Sequence, residues 1–108
     1  MAEGQDRTGG AVKERVEISN ETKKQDPALF KVILLNDDYT TMEFVLHVLE
    51  TLFSKSPAEA YRIMMHVHRN GRGIAGIYPW EVAETKAATV RTLAADAGYP
   101  LRAAIEEA

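Results

Sequence analysis

Asn36-Asp37-Asp38 follows directly on the apolar run Val32-Ile33-Leu34-Leu35, and Tyr39-Thr40-Thr41 leads on into Met42-Glu43-Phe44. A buried strand would therefore deliver an amide and two carboxylates to the mouth of a helix, beside apolar side chains. A carboxylate set in a half-enclosed apolar cleft needs a cationic partner to offset its desolvation. No Arg or Lys lies near it in sequence. That chemistry suits a small cation held against a greasy pocket, as an N-terminal ammonium group with a hydrophobic side chain would be. The simpler alternative is a turn, because Asn and Asp satisfy local backbone groups between elements. Three such residues followed by Tyr and two Thr nevertheless offer more acceptor capacity than one turn uses.

His68 stands one position after Val67 and four after Met64, at the border of an apolar helical stripe. It reads either as a structural histidine or as a polar partner for the aspartates. His66 and His68 are two apart, so they project about 200° apart around a helix and cannot share a metal. No nucleophile, oxyanion arrangement or Gly-rich phosphate loop accompanies the cluster. A small metal-binding or hydrolytic domain using the Asp/His residues is therefore only the competitor to a binding module. Met42, Met64 and Met65 read as core, or as the adaptable wall of a pocket that accepts several apolar shapes.

The elements that must position these residues follow from periodicity. Phe30 to Leu35 reads as a strand covered on both faces. Thr40 and Glu43 have capping-box spacing, and Met42, Val45, Leu46, Leu49, Leu52 and Phe53 predict a helix to about Ser54. Ser56, Pro57 and Glu59 start a second helix with Ala60, Ile63, Met64 and Val67 inward, ended by Asn70-Gly71. Gly73 to Tyr78 is a short strand broken by Pro79. Trp80 to Ala97 is a third helix with Ala83, Ala87, Val90, Ala94 and Ala97 as a narrow stripe, stopped by Gly98 and Pro100. Glu81, Glu84 and Lys86 read as its solvated, dipole-matched beginning. Leu101 to Ile105 alternates imperfectly, and pattern alone leaves it strand or helix. The order predicts an α+β fold, a small antiparallel sheet with helices on one face.

The chain has 108 residues, enough for one domain. Residues 1–26 carry 5 basic and 6 acidic residues and few apolar ones, which predicts a flexible extension before a core domain at 27–108. No apolar run approaches the roughly 18 residues of a membrane span, and no secretory signal is visible. The absence of cysteine excludes disulfides and thiolate zinc sites and fits the cytoplasm. The net charge is −3, with 8 basic against 10 acidic residues from Pro27 onward, so nucleic-acid binding is not expected.

Val32 to Thr40, Met42-Glu43-Phe44-Val45, Met64, Val67-His68, Gly76 and Glu81-Val82-Ala83-Glu84-Thr85-Lys86 together resemble the ClpS family of adaptors in bacterial N-degron degradation. The resemblance spans about Leu29 to Glu106 and implies a three-stranded antiparallel sheet with three helices, β-α-α-β-α-β, which makes the C-terminal segment a strand. It implies that Asn36, Asp38 and His68 bind the α-amino group of a substrate's first residue. Thr40, Met42, Val45, Met64, Val67 and Leu101 would wall the pocket for its Leu, Phe, Tyr or Trp side chain. Glu81 and Lys86 would dock on the N-terminal domain of a ClpA-type AAA+ unfoldase working with ClpP, with residues 1–26 needed for delivery. The expected protein is a monomeric, cytoplasmic, non-enzymatic adaptor without cofactor or metal. Thr41 departs from the family's usual Pro, Ala75 from a common Cys, and His66 is not a family signature, while Trp80, directly before the docking helix, would add to or alter the unfoldase contact.

Overall fold

The computed structural model describes residues 27–108, and the extension expected over 1–26 lies outside them. The elements are β1 (Leu29–Leu35), α1 (Met42–Thr51), α2 (Pro57–Asn70), β2 (Arg72–Pro79), α3 (Trp80–Ala97) and β3 (Arg102–Glu107). This is the expected α+β order. The strands form one antiparallel sheet in the order β2-β1-β3, so the most apolar strand is central. Val32 and Leu34 face the helices and are fully buried. Ile33 points to the other face yet is only 1% exposed. Leu35 pairs with Arg72 and Lys31 with Glu106. The Arg72–Glu106 ion pair at 2.7 Å therefore crosses the outer face diagonally, over Ile33.

Register shifts once. Val32 pairs with Gly76 and Ile33 with Ile74, leaving Ala75 as the extra residue of a bulge, with its side chain packed into the helical core. At Gly73 a side chain would meet the Val67 Cγ2 at 2.7 Å, so glycine there lets α2 lie directly against β2. Gly71 ends α2 in the left-handed conformation at φ 90°, as the sequence signals.

Helix starts and stops deviate from the sequence reading in informative ways. Thr41, not Thr40, caps α1, its hydroxyl accepting the Phe44 N–H at 3.1 Å. The Thr40–Glu43 box does not form, and the departure at Thr41 thus supplies the cap itself. Helix α1 stops at Thr51 instead of continuing to Ser54; Ser54 turns left-handed (φ 56°) and the Lys55 N–H returns to the Leu49 carbonyl at 3.0 Å. Its buried residues are Val45, Val48 and Leu49, whereas Met42 in its first turn is exposed. In α2 the Ser56 hydroxyl accepts the Glu59 N–H, but the Glu59 carboxylate pairs with Arg62 instead of closing a box. In α3, Ala83, Ala87, Val90 and Ala94 are buried while Ala97 is exposed. Among the described residues no helix is long and apolar enough to cross a membrane.

Lys86 overturns the expectation of a solvated face. Its ammonium donates to the Leu52 carbonyl at 2.9 Å and lies 5.3 Å and 5.8 Å from the ring centroids of Tyr78 and Phe53. Leu52 is the C-cap of α1, where carbonyls lack intrahelical partners and the dipole is negative. Lys86 thus ties α3 to α1 across 34 residues of chain. Lys86→Met should keep the packed stem but lose the charge-assisted bond, lowering the unfolding free energy in urea by about 1–3 kcal/mol. A loss below about 0.5 kcal/mol, the range of an ordinary surface substitution, would remove that role.

Candidate functional site

The polar loop after β1 is anchored by a last backbone rung, in which the Asn36 N–H donates to the Gly71 carbonyl at 2.9 Å. This bond sets the end of β1 beside the end of α2, and so brings Asn36 and Asp38 within reach of His68. Within the loop, Asp37 adopts the turn role. Its carboxylate accepts the Tyr39 and Thr40 N–H groups at 2.8 and 2.6 Å and the Thr40 hydroxyl at 2.7 Å. Partial burial pushes the Asp37 carboxyl upward. The hydrogen bonds from Thr40 and Tyr39 outweigh that effect, with Arg102 adding to them, and hold it below its ordinary 3.8. Among the described residues, Asn36, Asp38 and His68 make no side-chain hydrogen bond, unlike their neighbours Asp37 and His66.

Asn36, Asp38, Thr40, Met42 and His68 line one cavity of about 190 Å³, together with Asp37 and with Val45, Met64 and Val67. The three last are 8%, 4% and 3% exposed and form its apolar floor, whereas Met42, 45% exposed, stands at the mouth. Leu101, 3% exposed, lines a smaller adjoining space of about 20 Å³ with Leu35, Val45 and Val67. The volume lies below the roughly 300 Å³ at which drug-sized sites begin, so it suits a single side chain. A larger groove of about 390 Å³ runs along β2 and shares no residue with this cavity. Convergence of unpartnered polar groups over an apolar floor makes the smaller space the candidate site.

Asp37, one of the two carboxylates the sequence placed here, also lines the cavity, although the resemblance gave it no role. Its signal was present, an Asp three positions before a Thr, a spacing that favours side-chain bonds to the following backbone N–H groups. His66 turns away from the cavity, its Nδ1 lying 2.9 Å from Asn70 Nδ2. No group of three His, Cys, Asp or Glu able to hold a metal ion occurs among the described residues. Glu81 is exposed in the first turn of α3. Lys86, five residues on, projects about 140° away around the helix and is held inward by Leu52. The structure places neither at the cavity.

A family model described as "ATP-dependent Clp protease adaptor protein ClpS" matches residues 25–104. Adapter proteins of that name from Wolinella succinogenes and Phenylobacterium zucineum are 53% identical over 91 residues and 48% identical over 100 residues. These alignments cover 84% and 93% of this chain and 89% and 92% of the two relatives. Among solved structures, Agrobacterium tumefaciens ClpS2 bound to L-phenylalaninamide is similar with a TM-score of 0.74 and 42% identity, over 77% of this chain and 100% of that one.

The depressed carboxyl of Asp37 makes the loop sensitive to acid in a defined direction. A group whose folded pKa lies below its unfolded value stabilises fully above the unfolded value and loses that contribution as pH falls through the folded one. Asp37→Asn should therefore be less stable than the parent by about 1 kcal/mol at neutral pH. The gap between the two proteins should close as pH falls below 3.8, as thermal unfolding across pH would register. A gap that persisted unchanged into acid would mean the charge of Asp37 contributes nothing.

Proposed function

The chain belongs to the ClpS family of adaptor proteins of the ATP-dependent Clp protease, and from that membership we propose that its cavity captures proteins by a free, bulky, hydrophobic N-terminal residue. The family is one of substrate adaptors, not of enzymes. The observation that carries the reading is the pairing of three unpartnered polar side chains with an apolar floor in one small cavity. L-phenylalaninamide, the ligand of the related ClpS2, has both halves of the required chemistry, a free α-amino group and an aromatic side chain.

In this reading the α-ammonium donates to the Asn36 amide oxygen, the Asp38 carboxylate and a ring nitrogen of His68. The first side chain, Leu, Phe, Tyr or Trp, rests on Val45, Met64 and Val67, with Leu101 behind them and Thr40 and Met42 at the mouth. An ammonium cation is desolvated only at a cost, so the site must replace each lost water contact. A blocked N-terminus loses the charge and keeps only one of the three N–H donors, and it leaves Asp38 without a cationic partner. The captured protein is then handed to the N-terminal domain of a ClpA-type AAA+ unfoldase feeding ClpP in the cytoplasm. Glu81 and Lys86 make that contact, Lys86 also tying its helix to Leu52, and residues 1–26 serve delivery and not capture. Metal or hydrolytic use of the Asp/His cluster has no observation in its favour, since His66 and His68 line different spaces.

Titration of a peptide panel differing only in its first residue tests capture. Leu-, Phe-, Tyr- and Trp-initiated peptides should bind, and N-acetylation or Asp38→Ala should each weaken binding more than tenfold, since a charge-assisted hydrogen bond contributes about 1.5–3 kcal/mol. An acetylated Leu-peptide that bound as tightly as the free one would sink the reading. Docking is tested separately. Glu81→Lys should leave Leu-peptide affinity unchanged and lose binding to the unfoldase N-terminal domain, measured by calorimetry. Undiminished unfoldase binding would remove Glu81 from the contact.

A further inference from the structure

We propose that the groove along β2 is a second docking site, one that takes an extended acidic segment of a partner protein independently of the N-terminal residue. The groove measures about 390 Å³ and gathers Lys31, Arg62, His66 and Arg72 around Ile33 and Ile74. Arg69 adjoins it in a neighbouring groove that shares Arg62 and His66. Basic residues from β1, α2 and β2 thus converge on one face, in a chain whose net charge is −3. Half of the eight basic residues between Pro27 and Ala108 lie there. Charge complementarity selects an acidic occupant.

The floor and the edge select its form. Ile74 is 44% exposed, so an aliphatic side chain finds apolar surface there, whereas its neighbour Ile33 is buried. Strand β2 is at the end of the sheet order, and its far edge carries no strand among the described residues. Exposed edges are commonly blunted by bulges and prolines. Here the bulge is at Ala75 and the proline at Pro79, away from Arg72–Ile74, which face the groove with Arg62, Ile63 and His66 of α2 as its opposite wall. An extended segment can add to such an edge, its backbone supplying affinity and its alternate side chains specificity. Two of the cations are engaged, Arg62 by Glu59 and Arg72 by Glu106, but as half-exposed surface pairs. Such pairs contribute little, so an incoming carboxylate exchanges for Glu59 or Glu106 at small cost. A phosphodiester chain would leave the exposed Ile74 side chain unused, which favours a peptide over nucleic acid.

The test uses the full chain and the peptide acetyl-Glu-Val-Glu-Val-Glu-Val-amide, acetylated so that the α-amino site is closed to it. In a ¹⁵N–¹H chemical-shift titration, shifts should concentrate at Arg72, Gly73 and Ile74. Affinity should weaken roughly tenfold between about 50 and 300 mM salt, as exposed charge pairs are screened. Lys31→Ser with Arg72→Ser should weaken it by a similar factor while leaving the thermal midpoint and Leu-peptide binding in place. Asp38→Ala should leave it unchanged, which separates failure here from failure of N-terminal capture. The proposal is overturned if the Lys-for-Glu version of the peptide binds equally well or the double variant binds as the parent does. Shifts at Asn36 and His68 instead of β2, preference for a single-stranded oligonucleotide, or self-association through this face would overturn it as well.

Discussion

A single backbone hydrogen bond, from the Asn36 N–H to the Gly71 carbonyl, holds together the two segments that make the cavity. It is the last rung between β1 and the turn into β2, and it can form only because α2 ends sharply. Gly71 takes a left-handed conformation there, where a residue with a side chain would be strained. One to two turns earlier on α2 are Met64, Val67 and His68, and on the other side are Asn36, which makes the rung, and Asp38 just past it. Gly73 tightens the same junction by letting Val67 approach the strand. A helix end, a strand end and a close backbone approach are thus one constraint, and the arrangement of polar groups above an apolar floor follows from it.

Two adjacent aspartates meet opposite fates at this junction. Asp37 spends its acceptors on Tyr39 and Thr40 and builds the loop. Asp38, chemically identical, keeps its acceptors open to the cavity. The difference lies in geometry: backbone N–H groups two and three residues on converge on the first and not on the second. A neutral residue at Asp37 would relax the loop, whereas one at Asp38 would leave the loop formed and alter only what the cavity can hold. Structural and recognition chemistry are thereby separated over one peptide unit.

Strands β1 and β2 and the three helices were legible because each is written in short-range pattern: Val32 to Leu35, the Ser56-Pro57 start, the Asn70-Gly71 stop; the residues around the cavity were named through the family resemblance. The cap of α1 was misread by one residue because Thr40 and Thr41 both satisfy local preference. What decides is that Asp37 already claims the Thr40 hydroxyl, leaving Thr41 to cap. Strand β3 stayed ambiguous because Ala103 and Ile105 face the core while Ala104, on the outer face, is also apolar, which blurs the alternation. The inward turn of Lys86 toward Leu52 is a tertiary contact that no local pattern encodes. The gathering of Lys31, Arg62, Arg69 and Arg72 was hidden for the same reason, since sheet order and helix facing are needed to see it.

The placement of β1 also fixes how the domain bears tension. Its far end, Leu29, pairs with Pro79 and accepts the Ala108 N–H at 2.9 Å, so Leu29 stands at the end of the sheet opposite the cavity. A pull at Leu29 along the strand loads the central strand against both neighbours at once. Antiparallel ladder bonds lie perpendicular to the strand, so they share such a load in shear and do not open one after another. Strand β3 lies at an edge with a neighbour on one side only, and a pull at Ala108 directed away from the sheet peels it rung by rung. The domain is therefore mechanically stiff when held from the front and compliant when held from the back, a directional property that sheet order alone confers.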